Sequence, residues 1–299
     1  MLYSYLSDHQ QRVLFHGNLS DWGAVSIGVP QGSILGPLLF ALYINDLPSV
    51  VNYCILDLYA DDAELHCSHS DLHVVETCLQ SDLDAVATWL HSSRLCLNVG
   101  KSNCMLIGSR QKVADKTLHV SIGSNRLTQV NSVRYFGVLI DSVLSWSLHI
   151  NNMVSRIRSR LAAIVRYGSL PPAVLCVLYS AFVMPLYDYC DVVWSPTTAK
   201  LNSLIERVHS KFLNKLPLSY RSKFSFTLTE HRRFHTALQI FKSLHQISPP
   251  YLHNIFQFSK DMTGHVSHNI NHLFVSRVFT NFGKRNFSIK GLFYGTICR

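Results

Sequence analysis

Acidic residues are scarce in this chain: 18 Asp and Glu stand against 27 Lys and Arg in 299 residues, a formal net charge of +9. Cysteine occurs at 54, 67, 78, 96, 104, 176, 190 and 298, but never as a C-x-x-C pair. That spacing argues against a zinc ribbon or a tight disulfide framework, and the expectation is reduced, mostly buried thiols in a nuclear or cytoplasmic protein. The N-terminal MLYSYLSDHQQR lacks the basic start and apolar run of a signal peptide, so secretion is not expected. A long stretch free of charged residues, 167–187, is broken by Gly168, Pro171, Pro172 and Pro185, which favours a buried helix over a membrane span. No internal repeat or low-complexity tract appears. With 47% hydrophobic and 15% charged residues, the composition is that of a globular chain with one large core or two to three small ones.

What charge there is divides unevenly. Residues 1–141 hold 13 acids and 8 bases (net −5), and residues 142–299 hold 5 acids and 19 bases (net +14). An acidic half beside a basic half suits a polyanion held next to a cation-binding centre, although a basic surface by itself is weak support for nucleic acid.

The pattern along the chain is α+β. QRVLFHGNLSDWGAVSIGVPQGS reads as strand, turn, strand and a Pro-Gln-Gly bend. SILGPLLFALYINDLP follows, apolar on nearly every side, and predicts a helix from near Ser33 to before Pro48 that is covered on all faces. Two strand-like runs come next, with Asp61 and Asp62 at their join in LYADDAELHC. Asp71 is a plausible N-cap for a helix whose apolar face is Leu72, Val75, Leu79, Leu83, Val86 and Leu90. NCMLIGS and VRYFGVLID are short strand candidates. Beyond Asp141 the periodicity is helical: Ile150, Met153, Ile157, Leu161 and Ile164 mark one face, and Leu201, Leu204, Ile205, Val208, Phe212 and Leu216 another. Arg207, Lys211 and Lys215 run beside the second face at i, i+4 spacing, either a solvated stripe or a nucleic-acid contact. His231 and His235 sit four apart and read as lacking an acidic partner nearby, and His265, His268 and His272 fall in a polar tail, so zinc is expected at neither place.

Two adjacent carboxylates at a hairpin tip repel each other unless water or a cation intervenes. Hard oxygen donors suit Mg²⁺, but an acidic solvated turn would look the same in isolation. The surrounding motifs decide between them. GVPQGSILGPLLF, YADD, LQSDLDAVATWL, LCLNVGKSNCML, VRYFGVLID and RRFHTALQIFKSLHQISPPYL occur in an order and spacing that resembles the reverse transcriptases of non-LTR, LINE-type retrotransposons, over almost the whole chain.

The resemblance implies a polymerase palm over 1–141, a helical thumb-like region over 142–216 and a basic extension over 217–299. It implies RNA-templated DNA synthesis from dNTPs, with an RNA template, a DNA primer and two Mg²⁺ ions as partners. Asp61 and Asp62 match the family's metal-binding hairpin carboxylates, with Tyr59 and the small Ala60 before them beside the primer end. Pro30, Gln31 and Gly32 match the segment beside the incoming nucleotide and template base. Lys101 matches the lysine proposed to protonate pyrophosphate, and residues 135–141 the primer-gripping strand. Arg207, Lys211 and Lys215 are candidates for the nucleic-acid backbone.

The family pattern also requires a third carboxylate on a strand well ahead of Pro-Gln-Gly, which this sequence does not supply. The expectation is therefore a chain inactive by itself, with unpaired strand edges on the hairpin and a dependence on a second polypeptide for the absent strand. The alternative is a catalytically dead relic that binds nucleic acid.

Overall fold

The computed structural model describes residues 2–254, apart from 26, 27, 31, 167–169, 197 and 225. Gln31, the histidines at 265, 268 and 272 and the sequence beyond 254 lie outside the described residues. Packing divides the chain into two units. One takes residues 1–104 with 118–128, and the other 105–117 and the chain from Gln129. The class is α+β, with helices joined by small antiparallel hairpins.

The spine of the first unit is the helix Leu72–Ser92. Its N-terminus is set by Asp71, whose carboxylate accepts a hydrogen bond from the His73 N–H at 3.0 Å. The apolar positions spaced by threes and fours then serve two small cores. Val86 and Leu90 pack with Ile44, Leu47 and Leu56, while Val75 packs with Leu118, Val120, Ile122 and Leu127. Between them the same helix carries Asp82, fully buried at 0% exposure.

Asp82 is satisfied by backbone rather than by a cation. Its two oxygens accept the N–H groups of Asn52 at 3.0 Å, Tyr53 at 2.8 Å and Cys54 at 2.7 Å. Burial alone would raise this carboxyl, but the three backbone donors and the Cys54 thiol outweigh it and hold Asp82 below the ordinary Asp range. Cys54 responds in the opposite sense, pushed up to about 12 by burial and by the Asp82 carboxylate, so it stays a thiol. The bend 52–54 is thereby pinned to the spine helix, immediately ahead of the strand Ile55–Tyr59.

The apolar helix runs from Gly36 to Ile44, with Pro37 in its first turn, where a missing N–H costs nothing. It is shorter and barer than its sequence predicts. Only Gly36 and Ile44 are buried, and Leu38 and Leu42 are 58% and 65% exposed. Ile44 and Phe40 turn toward the core on one side, and no described element of this unit covers the other. Every sheet among the described residues is two-stranded, so strand edges in this unit stay open.

In the second unit VRYFGVLID is a hairpin rather than one strand. Ser132–Tyr135 pairs antiparallel with Val138–Asp141. Phe136 and Gly137 turn the chain between them at φ +44° and +78°, the double left-handed signature of a type I′ turn. Val138 and Ile140 then pack with the helix Ser147–Arg166 through Ile150, Met153 and Ile157. Helices Pro172–Phe182, Ala199–Leu213 and Leu228–Leu244 complete this core, which runs without a break across residue 216 to Leu228. Tyr179 stacks on Phe212 at 4.1 Å and shares a 2.5 Å hydrogen bond with His209. Helix Leu228–Leu244 opens with a reciprocal capping box between Thr227 and Glu230. Glu206 adds a second tie by accepting the Thr229 N–H at 2.8 Å. Among the described residues no helix is long and apolar enough to cross a membrane.

The Asp82 cradle makes a direct prediction. Asp82→Asn puts an amide N–H₂ against backbone donors that need an acceptor, and should destabilise the first unit by about 3 kcal/mol. Because folding depresses the Asp82 carboxyl, its contribution is complete above the unfolded Asp value of about 3.9 and is lost as pH falls through the lower folded value. Amide exchange at Asn52, Tyr53 and Cys54 in the full chain, wild type against variant and across acid pH, reads both effects. Unchanged protection in the variant would refute the pinning role.

Candidate functional site

The acidic pair sits where the sequence places it, at the tip of a hairpin. Ile55–Tyr59 pairs with Asp62–His66, and the register sets Tyr59 opposite Asp62, Asp57 opposite Glu64 and Leu56 opposite Leu65. Two residues close the loop, Ala60 and Asp61. Ala60 holds φ +52°, a left-handed conformation that costs an alanine about 1 kcal/mol and is normally given to Gly, Asn or Asp. Strain of this kind persists only where the surroundings enforce it.

Strand alternation divides the hairpin into two faces. Leu56, Leu58 and Leu65 turn inward onto the core. The outer face carries Asp57, Tyr59, Asp62 and Glu64, all exposed, and Asp61 is exposed at the tip. Asp57 and Glu64 are like charges placed directly opposite, an unfavourable pair. His66, with Nδ1 3.6 Å from an Asp57 oxygen, relieves it when protonated. An anchored inner face and a carboxylate-rich outer tip make a rigid platform that presents negative charge to solvent.

Pro30 and Gly32 lie in the loop before the apolar helix. The Ser33 N–H donates to the Pro30 carbonyl at 3.3 Å, and Gly32 occupies φ +80°, a conformation that favours glycine. Ser33 ties this loop down, accepting from the Gly36 N–H at 3.1 Å and bonding the Tyr5 hydroxyl. Gln31 lies outside the described residues. Lys101 ends the short 3-10 turn Val99–Lys101 and is exposed, with no ion pair to Asp61 or Asp62 among the described residues. In the second unit Arg207 and Lys211 ride the exposed side of helix Ala199–Leu213, while Lys215 lies just past its end. Among the described residues none of these three cations is paired with a carboxylate.

The structure adds a basic cleft that sequence reasoning missed. Arg134 of the Ser132–Asp141 hairpin and Arg156 and Arg160 of helix Ser147–Arg166 line a cavity of about 340 Å³ with His149 and Tyr189. Burial, and then the charges of Arg134 and Arg156, push His149 below the ordinary histidine value. The Leu139 N–H donates to its Nδ1 at 3.2 Å, which leaves the ring proton on Nε2. Tyr189 closes one end, its hydroxyl donating to the Phe136 carbonyl at 2.6 Å. The available signal was Arg156 and Arg160 at i, i+4 spacing on an amphipathic helix, but Arg134 joins them only through folding.

The donor chemistry of Asp61 and Asp62, hard oxygens open to solvent, fits a cation of the Mg²⁺ class that keeps waters and phosphates in its shell. Among the described residues no third acidic, histidine or cysteine side chain joins the pair into a closed ligand set. The expectation that His231 and His235 lack acidic partners is overturned. Asp188 and Asp191, more than 40 residues earlier, face them directly.

Residues 2–140 match the sequence-family model described as reverse transcriptase (RNA-dependent DNA polymerase). A Drosophila melanogaster protein named as a probable RNA-directed DNA polymerase from transposon X-element is 28% identical over 65% of this chain and 22% of its own length. The RNA-directed DNA polymerase from mobile element jockey of the same fly is 26% identical over 53% of this chain and 18% of its own. A Pol polyprotein from the type-1 retrotransposable element R1 2 of Nasonia vitripennis is 26% identical over 56% of this chain and 43% of its own. The chain thus spans about a fifth of the length of the two fly relatives. Residues 2–140, which include the Asp61–Asp62 hairpin, are thus similar to reverse transcriptases, and the relatives that share this similarity are RNA-directed DNA polymerases and Pol polyproteins of non-LTR transposable elements.

Proposed function

We propose that this chain carries the carboxylate hairpin and part of the nucleic-acid-binding surface of an RNA-directed DNA polymerase, with residues 1–141 as palm, 142–216 as thumb-like region and 217–299 as basic extension. The observation that carries this reading is the exposed Asp61–Asp62 pair where a two-residue turn meets its strand, anchored from behind by a leucine face, inside the matched segment. Mg²⁺ held by these carboxylates would supply the activation of the primer 3′-hydroxyl and the neutralisation of the leaving pyrophosphate that two-ion transfer requires.

The chain's own residues do the rest. Tyr59 flanks Asp62 across the strand pair, and Ala60 keeps the tip small enough for a primer end to approach. Pro30, Gln31 and Gly32 contact the incoming dNTP and template base, Gly32 through its bare backbone. Lys101 delivers a proton to the departing pyrophosphate. In the second unit the Arg134, Arg156 and Arg160 cleft and the stripe of Arg207, Lys211 and Lys215 hold phosphates of template and primer, contacts that position the duplex without reading its sequence. Such a protein works where its RNA is found, in the nucleus or the cytoplasm.

With two adjacent carboxylates and no third ligand among the described residues, the isolated chain binds primer–template but does not extend it. Synthesis then depends on a second polypeptide that supplies a further carboxylate strand. The relic reading, nucleic-acid binding without catalysis, rests on the same basic side chains.

Two measurements test this. Primer extension on an RNA template with Mg²⁺ should give no more product from the wild-type chain than from Asp61→Asn. Extension that Asp61→Asn abolishes would show the chain to be a complete polymerase and overturn its proposed dependence on a partner. Duplex binding should weaken steeply with salt, and Arg134→Ala with Arg156→Ala should lower the log–log slope by about 0.9 for each phosphate that is no longer neutralised. An unchanged slope would remove the cleft from the interface, and the same test on Arg207→Ala with Lys211→Ala judges the helical stripe separately.

A further inference from the structure

The Asp188, Asp191, His231 and His235 cluster has no part in the function proposed above, and its two carboxylates do not suit a phosphate-binding surface. His231 and His235 share one face of helix Leu228–Leu244, their ring centroids 4.3 Å apart. Opposite them, helix Met184–Asp188 ends and helix Asp191–Trp194 begins. The two residues between are turned by Cys190, a non-glycine at φ +54°, and this turn aims both carboxylates at the histidines. The turn is braced from inside, where the Trp194 indole N–H donates to the Tyr189 carbonyl at 2.6 Å.

The two His–Asp contacts differ in kind. His235 Nδ1 lies 2.7 Å from Asp191 Oδ2, and Asp191 is almost wholly buried, with a side chain 3% exposed. An ionised carboxylate can only accept, so the His235 proton sits on Nδ1 and Nε2 carries the free lone pair. That is the arrangement by which a carboxylate orients a metal-ligating histidine from behind. His231 Nδ1, by contrast, lies 3.2 Å from Asp188 Oδ1. This oxygen is shielded from solvent and has no hydrogen-bond partner among the described residues. The two groups attract each other as an ion pair when His231 is protonated, and their separation is also that of two ligands of one cation. For bonds of about 2.0–2.1 Å, two ligands of a tetrahedral ion sit about 3.3 Å apart.

One ligating atom from each of Asp188, His231 and His235 falls within 4.8 Å of the others. Asp188 and His231 remain about a third exposed, so an ion can reach the cluster from solvent.

We propose that Asp188, His231 and His235 bind a single zinc-class divalent cation, with Asp191 positioning His235 and water completing the tetrahedron. Two imidazoles and one carboxylate form a borderline-soft set that suits Zn²⁺ and its first-row neighbours, whereas Mg²⁺ and Ca²⁺ prefer all-oxygen shells. The ion would staple helix Leu228–Leu244 to the turn 188–191 and so link the stability of the second unit to metal. The site is independent of the polymerase reading, since all of its ligands belong to the second unit and none to the acidic hairpin.

The test uses the full chain stripped by a chelator and titrated with Co²⁺ and Zn²⁺. The expected result is one equivalent of Co²⁺ with the visible bands of a tetrahedral nitrogen–oxygen site, displaced by Zn²⁺, and a Zn²⁺-dependent rise in the unfolding temperature. Asp188→Asn and His235→Gln should abolish saturable binding, and Asp191→Asn should weaken it 10- to 100-fold. Binding that is absent in the wild type, or undiminished in the variants, would overturn the proposal. So would a near-ultraviolet thiolate charge-transfer band, which would assign the ion to cysteines. X-ray absorption of the Zn²⁺-loaded wild type reads the ligand shell directly if a variant fails to fold: a nitrogen–oxygen shell supports the site, and sulfur in it refutes it.

Discussion

A buried carboxylate holds the first unit together. Asp82 lies inside the spine helix with no solvent contact, where an unpaired charge would cost several kcal/mol. Three converging backbone N–H groups offset that cost, and they come from the bend that launches the acidic hairpin. An asparagine could not replace it, because three donors need two acceptor oxygens. The same helix presents its apolar stripe to two cores at once, so the hairpin's inner leucines and its starting bend are fixed by one element. The exposed pair at the tip inherits its placement from this anchorage, and the strained Ala60 turn can persist because of it.

The second unit depends on a different principle. Its core is rich in aromatic side chains, with Tyr179, Tyr187, Trp194 and Phe212 all buried, and its polar interior is organised by helix starts. Asp141 accepts the N–H groups of Ser145 and Trp146 at the entrance to helix Ser147–Arg166, and Glu206 and Thr227 do the same work for helix Leu228–Leu244. With so few acids in this half, nearly every one is committed to capping a helix or facing a histidine. Arg156, Arg207 and Lys211 consequently form no ion pair with a carboxylate among the described residues, which leaves their charge available to a polyanion. The charge asymmetry of the chain is thus carried into the structure as a difference in what each unit can bind.

Features governed by local periodicity were legible in advance. The stripe from Leu72 to Leu90 and its Asp71 cap, the faces of the helices at 147–166 and 199–213, and the acidic pair at a hairpin tip depend on neighbours within a few residues. The apolar run at 36–44 misled because composition reports what could be buried and not what covers it; Leu38 and Leu42 are bare for want of a described neighbour on that side. The run at 133–141 looked like one strand because Phe136 has strand propensity, although with Gly137 it makes a type I′ turn. Arg134 and Arg156 are 22 positions apart, and no sequence window brings them to one cleft.

By itself, then, the sequence determined the resemblance to reverse transcriptases, the α+β class, the position of Asp61 and Asp62 and the division of charge, because order, spacing and periodicity are properties of neighbouring residues. Tertiary structure alone decided which groups meet across long separations. Asp82 with the amides of 52–54, the arginine cleft around His149, and Asp188 and Asp191 against His231 and His235 each join segments 20 to 45 residues apart. The physical reason is the same in each case. Polar and charged groups are placed by the cores on which their helices pack, and those cores are assembled from distant parts of the chain.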